Sequence, residues 1–365
     1  MSYKGSLVMA ARQSVVLGAG LMGRLMAWKL STLGHEVQIH EAKPADVQGS
    51  AAWVAAAMLA PLAESAITEL NVVRMGQYAL ARWPDIIGQL QQPVFFQQKG
   101  TLVVWHRQDA PEAHRFASKL NNTNHHLPEL QAPIPLDHQA LQALEPSLSA
   151  VFQQGLFLPG EGQLDNRQLL DALLYQLKQQ SVAMHFSSEV SPQQFPQADW
   201  VIDCRGVGAR TDWPALRGVR GEVLRVHAPE VHLTRPLRLI HPRYPLYIAP
   251  KEDRLFIIGA TEIESDDTTP ASVRSGLELM SAAYSVHKGF AEARILEMNA
   301  QVRPTLVDNL PAIRMHHRYL AINGLYRHGF LIAPALLDAA VGLMNGNPQI
   351  AMDLGVKRLQ DDMAC

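Results

Sequence analysis

Residues 14–41 read SVVLGAGLMGRLMAWKLSTLGHEVQIHE: an apolar strand, a glycine turn, an amphipathic helix, a second strand and an acid at its end. The turn carries GxGxxG at Gly18, Gly20 and Gly23. Its place between strand and helix gives the spacing its meaning, because three glycines alone match many unrelated loops. Gly18 permits the tight turn out of the strand, Gly20 lets backbone approach a pyrophosphate, and Gly23 lets the helix pack closely on the sheet. The helix N-terminus, with Ala19, Leu21 and Met22 around it, then turns free N–H groups and a positive dipole end toward phosphate. Glu41 falls where a carboxylate accepts hydrogen bonds from an adenosine ribose, which disfavours a 2′-phosphate and hence NADP. The stretch predicts a site for an adenine dinucleotide. Taken alone, it also admits an NAD-dependent dehydrogenase.

Composition narrows the class. A chain of 365 residues, 47% hydrophobic and 18% charged, can build two joined domains over a large core. A net charge of −2 gives no reason to expect a nucleic-acid or anionic-membrane partner. The two cysteines, Cys204 and Cys365, lie far apart in sequence, which argues against a disulfide framework and fits a reducing cytoplasm. Residues 1–12 lack a signal-peptide pattern and read as a disordered extension, and no window approaches the ~20 continuous apolar residues of a membrane span. Histidine pairs such as His125–His126 and His316–His317 put adjacent rings on different faces, and no HExxH or CxxC accompanies them, so no metal site is expected.

Further along, residues 49–61 (GSAAWVAAAMLAP) form a small-residue stretch closed by proline, and 66–90 carry helical periodicity. Lys99 to His106 read as a strand, and 107–150 as loop-rich with short helices near 110–120 and 138–145. Asp165 is placed to cap a helix over 166–179; a strand follows at 182–190, and 198–209 is a further strand ending in the glycine turn Gly206–Gly208. Segments 219–227, 246–250 and 255–260 alternate and carry charges at their ends, as expected of an antiparallel sheet with one exposed face. A helix is expected over 271–285. Residues 319–346 repeat the opening plan of strand, glycine turn and helix, and read as the nucleotide domain returning after an inserted sheet. The fold class is therefore α/β: a discontinuous Rossmann-like domain with an inserted antiparallel-sheet (α+β) domain.

Chemistry-bearing residues gather in the last third: Tyr247 in LYIAP, Arg303 in QVRPT and Arg327 in LYRHGF. A guanidinium fork grips a carboxylate bidentately and a phenol adds a third hydrogen bond, so such a set suits a small carboxylate. A single arginine is more often a salt-bridge or surface residue; glycine turns and prolines beside these two favour the site reading.

The series GAGLMG with Glu41, SAAWVAAAMLAP, EGQLD, DCRGVGA, YIAP, GAT at 259–261, RPT with Asp308 and Pro311, and YRHGFLIAPA resembles the FAD-dependent glycine oxidase and D-amino-acid oxidase family, in particular the glycine oxidases of thiamine biosynthesis. The resemblance covers about 13–350, with the motifs in order. It implies an FAD-binding domain over 13–85, 145–215 and 304–355, a substrate domain over 86–144 and 216–303, and tails at 1–12 and 356–365. By the same resemblance, Gly18, Gly20, Gly23 and Glu41 hold the ADP half, and Ser50, Ala57 and Met58 lie along the ribityl chain and isoalloxazine. Val190 and Gly206, with Cys204, flank adenine and pyrophosphate. Arg327 and His328 lead into Gly329, Phe330 and Leu331, whose backbone N–H groups face the flavin pyrimidine edge.

The activity the resemblance implies is hydride transfer from a small amino acid or amine to non-covalent FAD, with Arg303 on the substrate carboxylate and Tyr247 and Arg327 assisting. Oxygen is the implied acceptor, peroxide a product, and a homo-oligomer the implied assembly. A dehydrogenase that passes electrons to a carrier, or a flavin-binding protein without turnover, are the alternatives. Covalent attachment is not expected, since neither cysteine falls between 303 and 331. Four residues depart from the family's pattern. Ala57 stands where glycine is usual before Met-Leu, and Glu262 where an apolar residue is usual near the substrate, which favours a substrate with a cationic side chain. Arg314 and Leu336 replace smaller residues expected near the flavin turns.

Overall fold

The computed structural model describes residues 11–45, 49–148, 150–241 and 246–359. The extension expected before residue 11, and Cys365, lie outside them.

Seven strands form the first sheet, in spatial order Lys357–Leu359, Ala312–His316, Tyr319–Asn323, Trp200–Asp203, Gln13–Leu17, Glu36–Glu41 and Ala183–Phe186. All neighbours pair parallel except Ala312–His316 with Tyr319–Asn323. A parallel sheet must be covered on its faces, and its strands here are accordingly apolar runs such as Val15–Val16–Leu17. The helix Leu21–Thr32 buries Leu25, Met26, Ala27, Trp28 and Leu30 in this core. A Cβ on Gly23 would lie 1.7 Å from the Gly18 carbonyl oxygen, so only glycine allows that helix to sit so close to the strand's end. Gly18 itself, at φ +90°, turns the chain in a region closed to other L residues. Arg24, buried beneath the turn, donates from Nε to the Ala19 carbonyl at 2.8 Å and from Nη1 to that of Leu170 at 2.6 Å. It thereby ties the turn to the helix Asn166–Gln179, which Asp165 caps by accepting from the Arg167 and Gln168 N–H groups.

The second sheet has nine strands, ordered Ile263–Glu264, Arg217–His227, Leu255–Gly259, Leu246–Pro250, Leu237–Ile240, Thr101–Trp105, Gly155–Leu158 and Ile134–Leu136, with Arg294–Thr305 also paired to Arg217–His227. It is antiparallel apart from Leu237–Ile240 against Thr101–Trp105. One face buries Leu224, Ile248, Phe256 and Ile258 against Leu279, Ala283 and Val286 of the helix Val273–Val286. A small third sheet joins Met58–Leu59, Gly162–Leu164 and Phe96–Gln97, in that order.

Several expectations shift. The strand expected over 182–190 stops at Phe186, because Ser187 takes φ +53° and turns the chain. The helix near 110–120 runs on to His126. Gly155–Leu158 joins the second sheet although it falls within the 145–215 segment assigned above to the nucleotide domain. Lys357–Leu359, read as tail, pairs parallel with Ala312–His316, anchored by buried Val356 and a Lys357–Asp308 ion pair. Among the described residues one helix, Tyr326–Met344, is long and apolar enough to cross a bilayer, but 72% of it is buried inside the protein, as befits a core helix.

Candidate active site

A cavity of about 430 Å³ opens where the strands Gln13–Leu17, Trp200–Asp203 and Tyr319–Asn323 end, and extends to the second sheet. Such a crevice beyond the strands' carboxyl ends is where doubly wound sheets bind ligands. Its near end is lined by Gly18, Gly20, Leu21, Met22, Glu41, Val190, Cys204 and Gly206. Ser50, Ala57 and Met58 line its middle, with Arg327, His328, Gly329, Phe330 and Leu331 opposite. Tyr247, Glu262 and Arg303 close the far end. The sequence-predicted residues thus come together around one space, with two exceptions. Ala19 supports it from behind, donating its N–H to Glu41 Oε2 at 2.6 Å, and Gly23 packs on Gly18.

The near end suits an extended anionic cofactor. Added Cβ atoms on Gly20 and Gly329 would meet nothing within 4 Å, so both backbones are open. Gly329 begins the helix Gly329–Met344, whose first-turn N–H groups have no partner within the helix and carry its positive dipole end. Glu41 is held rigid, since Oε1 accepts from the Lys43 N–H at 2.9 Å and Oε2 from Ala19, leaving lone pairs for a ribose. Ser50 caps the short helix Ala51–Val54 through the Trp53 N–H, fixing the approach to the small-residue stretch. Ala57 takes φ +52°, which explains why glycine suits this place and shows that alanine is tolerated only with strain. Burial pushes the Cys204 thiol well above its ordinary value, so it keeps its proton. Arg314 and Leu336 do not reach the cavity: Arg314 stacks its guanidinium 4.2 Å from the Trp213 ring centre, and Leu336 is fully buried in the first core.

The far end is governed by charge. Arg303 is part-buried, and among the described residues its guanidinium reaches the backbone carbonyls of Arg220 at 3.4 Å and Thr261 at 3.2 Å. Among the described residues no carboxylate lies within ion-pair distance of it, and burial pulls its pKa down. Beside it the Tyr247 hydroxyl has no hydrogen-bond partner among the described residues, and burial raises its pKa. Arg327, by contrast, is already engaged. Its Nε lies 3.1 Å from Glu64 Oε2, and Nη1 donates to Glu262 Oε2 at 2.8 Å. Glu262 also accepts from the Tyr326 hydroxyl. Its charge is therefore spent within the protein, which removes the reason given above for a cationic substrate.

Sequence reasoning passed over Glu64 and Arg238, both cavity-lining. Glu64 ends the helical turn Pro61–Glu64; Arg238 Nη2 donates to its Oε1, and His328 Nδ1 lies 3.5 Å from its Oε2. Burial alone would raise the Glu64 pKa, but Arg327 and Arg238, joined by His328 only once it is protonated in acid, outweigh it and hold the carboxylate at about 2. His328, buried in turn, falls to about 4 and is neutral at pH 7. No local spacing announces this cluster, because its members come from distant segments.

Comparison with known proteins agrees with this geometry. Residues 13–338 match the model of the DAO family, FAD dependent oxidoreductases, and the chain belongs to that family. It is 40% identical over 322 residues, 88% of its own length and 93% of the other, to a Rhizobium etli protein named as a thiamine biosynthesis oxidoreductase, ThiO. Its fold is shared by glycine oxidase from Geobacillus kaustophilus, with a TM-score of 0.78 and 21% identity, covering 92% of this chain and 96% of that one. Iminodiacetate oxidase (IdaA) from Chelativorans sp. BNC1 matches at 0.77 and 19% over the same shares. The chain is an FAD-dependent oxidoreductase of the glycine oxidase/ThiO kind.

Proposed function

We propose that the protein oxidises a small amino acid or amine, with glycine, sarcosine and small D-amino acids as the substrates that fit, to the imine, which water then splits to the oxo acid and ammonia (methylamine from sarcosine), with oxygen as acceptor and hydrogen peroxide as product. The observation that carries this reading is Arg303: a part-buried cation that, among the described residues, has no carboxylate partner and faces a cavity beside a tyrosine whose hydroxyl is unpartnered. A buried charge left unpaired is costly, so a site that keeps one is built for an anionic ligand.

FAD, when bound, supplies the two-electron acceptor for the hydrogen on the substrate α-carbon. The cavity residues supply placement. Gly20 offers open backbone to a pyrophosphate, with Gly18 and Gly206 lining the same end of the cavity, and Glu41 offers a fixed acceptor to a ribose. The start of the Gly329–Met344 helix lines the cavity with positive potential, which would stabilise the charge a reduced flavin gains if held against it. Arg303 would grip the substrate carboxylate and Tyr247 would add a hydrogen bond, fixing the α-carbon within the cavity that Met58 also lines. Arg327, spent on Glu64 and Glu262, shapes the wall and does not share in the grip. No side chain need act as acid or base, because the amine is the only group that must lose a proton and it can arrive neutral.

The test is an anaerobic titration of the purified flavoprotein with glycine, sarcosine, D-alanine and D-proline. Bleaching of the flavin band by one of these, followed by peroxide on admitting oxygen, is the expected result. A flavin that none of them bleaches would overturn the reading, and bleaching that only a dye acceptor reverses would move it to a dehydrogenase.

A further inference from the structure

Two pairs of a tyrosine and an arginine face the far end of the cavity. The first, Tyr247 with Arg303, holds no carboxylate among the described residues. The second, Tyr326 with Arg327, is filled: the Tyr326 hydroxyl donates to Glu262 Oε1 and Arg327 Nη1 to Oε2. A phenol and a guanidinium thus hold a carboxylate in one clamp with the donors that stand open in the other. The clamps are adjacent, because Arg303 Nη2 donates to the carbonyl of Thr261, the residue before Glu262. Arg327, Glu262 and Tyr326 all act electrostatically on Arg303.

The filled clamp is also anchored independently of its occupant. Arg327 Nε is held by buried Glu64, which Arg238 holds in turn, whereas the Glu262 side chain is 47% exposed. Removing the Glu262 carboxylate would leave the guanidinium in place with Nη1 and the Tyr326 hydroxyl facing the cavity. The charges agree. At this end Arg238, Arg303 and Arg327 oppose Glu64 and Glu262, so one external carboxylate completes the balance.

We propose that Glu262 is an internal plug in a second carboxylate subsite, and that by occupying it the protein restricts itself to substrates with a single carboxylate. This rests on the reading of Arg303 as the carboxylate seat. The substrate class that the plug excludes is the amino dicarboxylates, in which a second carboxylate lies a few atoms from the first. The clamp at 326–327 is the place such a group would otherwise take.

The experiment is calorimetric titration of the FAD-loaded protein with acetate as a monocarboxylate probe, and malonate and succinate as dicarboxylates of two spans, on wild type, Glu262→Ala and Glu262→Gln. Charge-assisted hydrogen bonds of this kind are worth about tenfold to a hundredfold in affinity. Glu262→Ala is expected to raise the affinity for at least one dicarboxylate relative to acetate by about that factor. Glu262→Gln, which keeps the plug's shape, is expected to move the ratio by no more than a few-fold. Turnover of iminodiacetate relative to glycine should rise with the ratio. An unchanged ratio in a Glu262→Ala protein that melts like wild type overturns the plug. The seat is read separately: if acetate binding survives Arg303→Ala, the Arg303 assignment fails, while the dicarboxylate ratio still decides for or against the plug.

Discussion

Replacing Glu64 by glutamine removes one negative charge from between Arg238 and Arg327 and leaves the shape of the wall intact. The carboxylate is buried, and the two guanidinium groups it serves are nearly so, with 4% and 14% of their side-chain surface exposed. Two routes give the cost. The carboxyl is held at about 2 against an ordinary 4.5. At 1.36 kcal/mol for each pH unit this is a contribution of roughly 3 kcal/mol at neutral pH. Breaking a buried ion pair by removing one partner costs about 3–5 kcal/mol in general. Because the folded pKa is depressed, the contribution is fully present above the unfolded value of 4.5 and is lost as pH falls toward about 2. Urea unfolding of the FAD-loaded protein, followed by circular dichroism and flavin fluorescence, should therefore show Glu64→Gln destabilised by roughly 3 kcal/mol at neutral pH. The gap should stay constant down to about pH 4.5 and narrow below it. A loss under about 1 kcal/mol, the worth of an exposed pair, or a gap that widens on acidification, would refute the account.

Arg303→Ala should lower kcat/KM for the best substrate by about a hundredfold or more, the worth of a charge-assisted grip plus an unpaired carboxylate, in steady-state assays with the flavin content matched; near-wild-type turnover would sink the site. Ala57→Gly relieves a left-handed alanine at φ +52° but adds freedom to the unfolded chain, so a gain of about 0.5–1 kcal/mol is expected by thermal melting, and a lower melting temperature would contradict it. Gly23→Ala forces a methyl to within 1.7 Å of the Gly18 oxygen, and the purified protein should hold little or no flavin by its absorbance ratio; a fully yellow variant would show that the turn can shift.

What the sequence makes legible is what local chemistry dictates. The glycine turn, the Asp165 cap and the apolar helix after Gly329 each announce themselves within a dozen residues. The 12-residue strand Arg294–Thr305, long partner of Arg217–His227, escapes because its residues are mostly half-buried and mix apolar with polar side chains, without the alternation that marks a one-faced strand. Leu237–Ile240 pairs parallel with Thr101–Trp105, far off in the chain, and nothing nearby predicts it. The site follows the same division. Arg303 and Tyr247 sit in recognisable motifs, whereas the Glu64–Arg238 and Glu262–Tyr326 contacts join segments brought together only by folding. Glu262 was visible as a departure from pattern, but its role was not, since the cation that consumes its charge is set by tertiary contact.

The two side chains at the carboxylate seat each lie flat across a glycine of a neighbouring strand. A Cβ on Gly221 would come within 2.2 Å of Arg303 Nη2, and one on Gly259, paired opposite Tyr247, within 2.9 Å of its hydroxyl. The two glycines therefore inherit the sensitivity of the side chains they support. A saturation library would score 221 and 259 as intolerant as 303 and 247, and a chemist ranking positions by activity loss would count four active-site residues where the proposed seat has two.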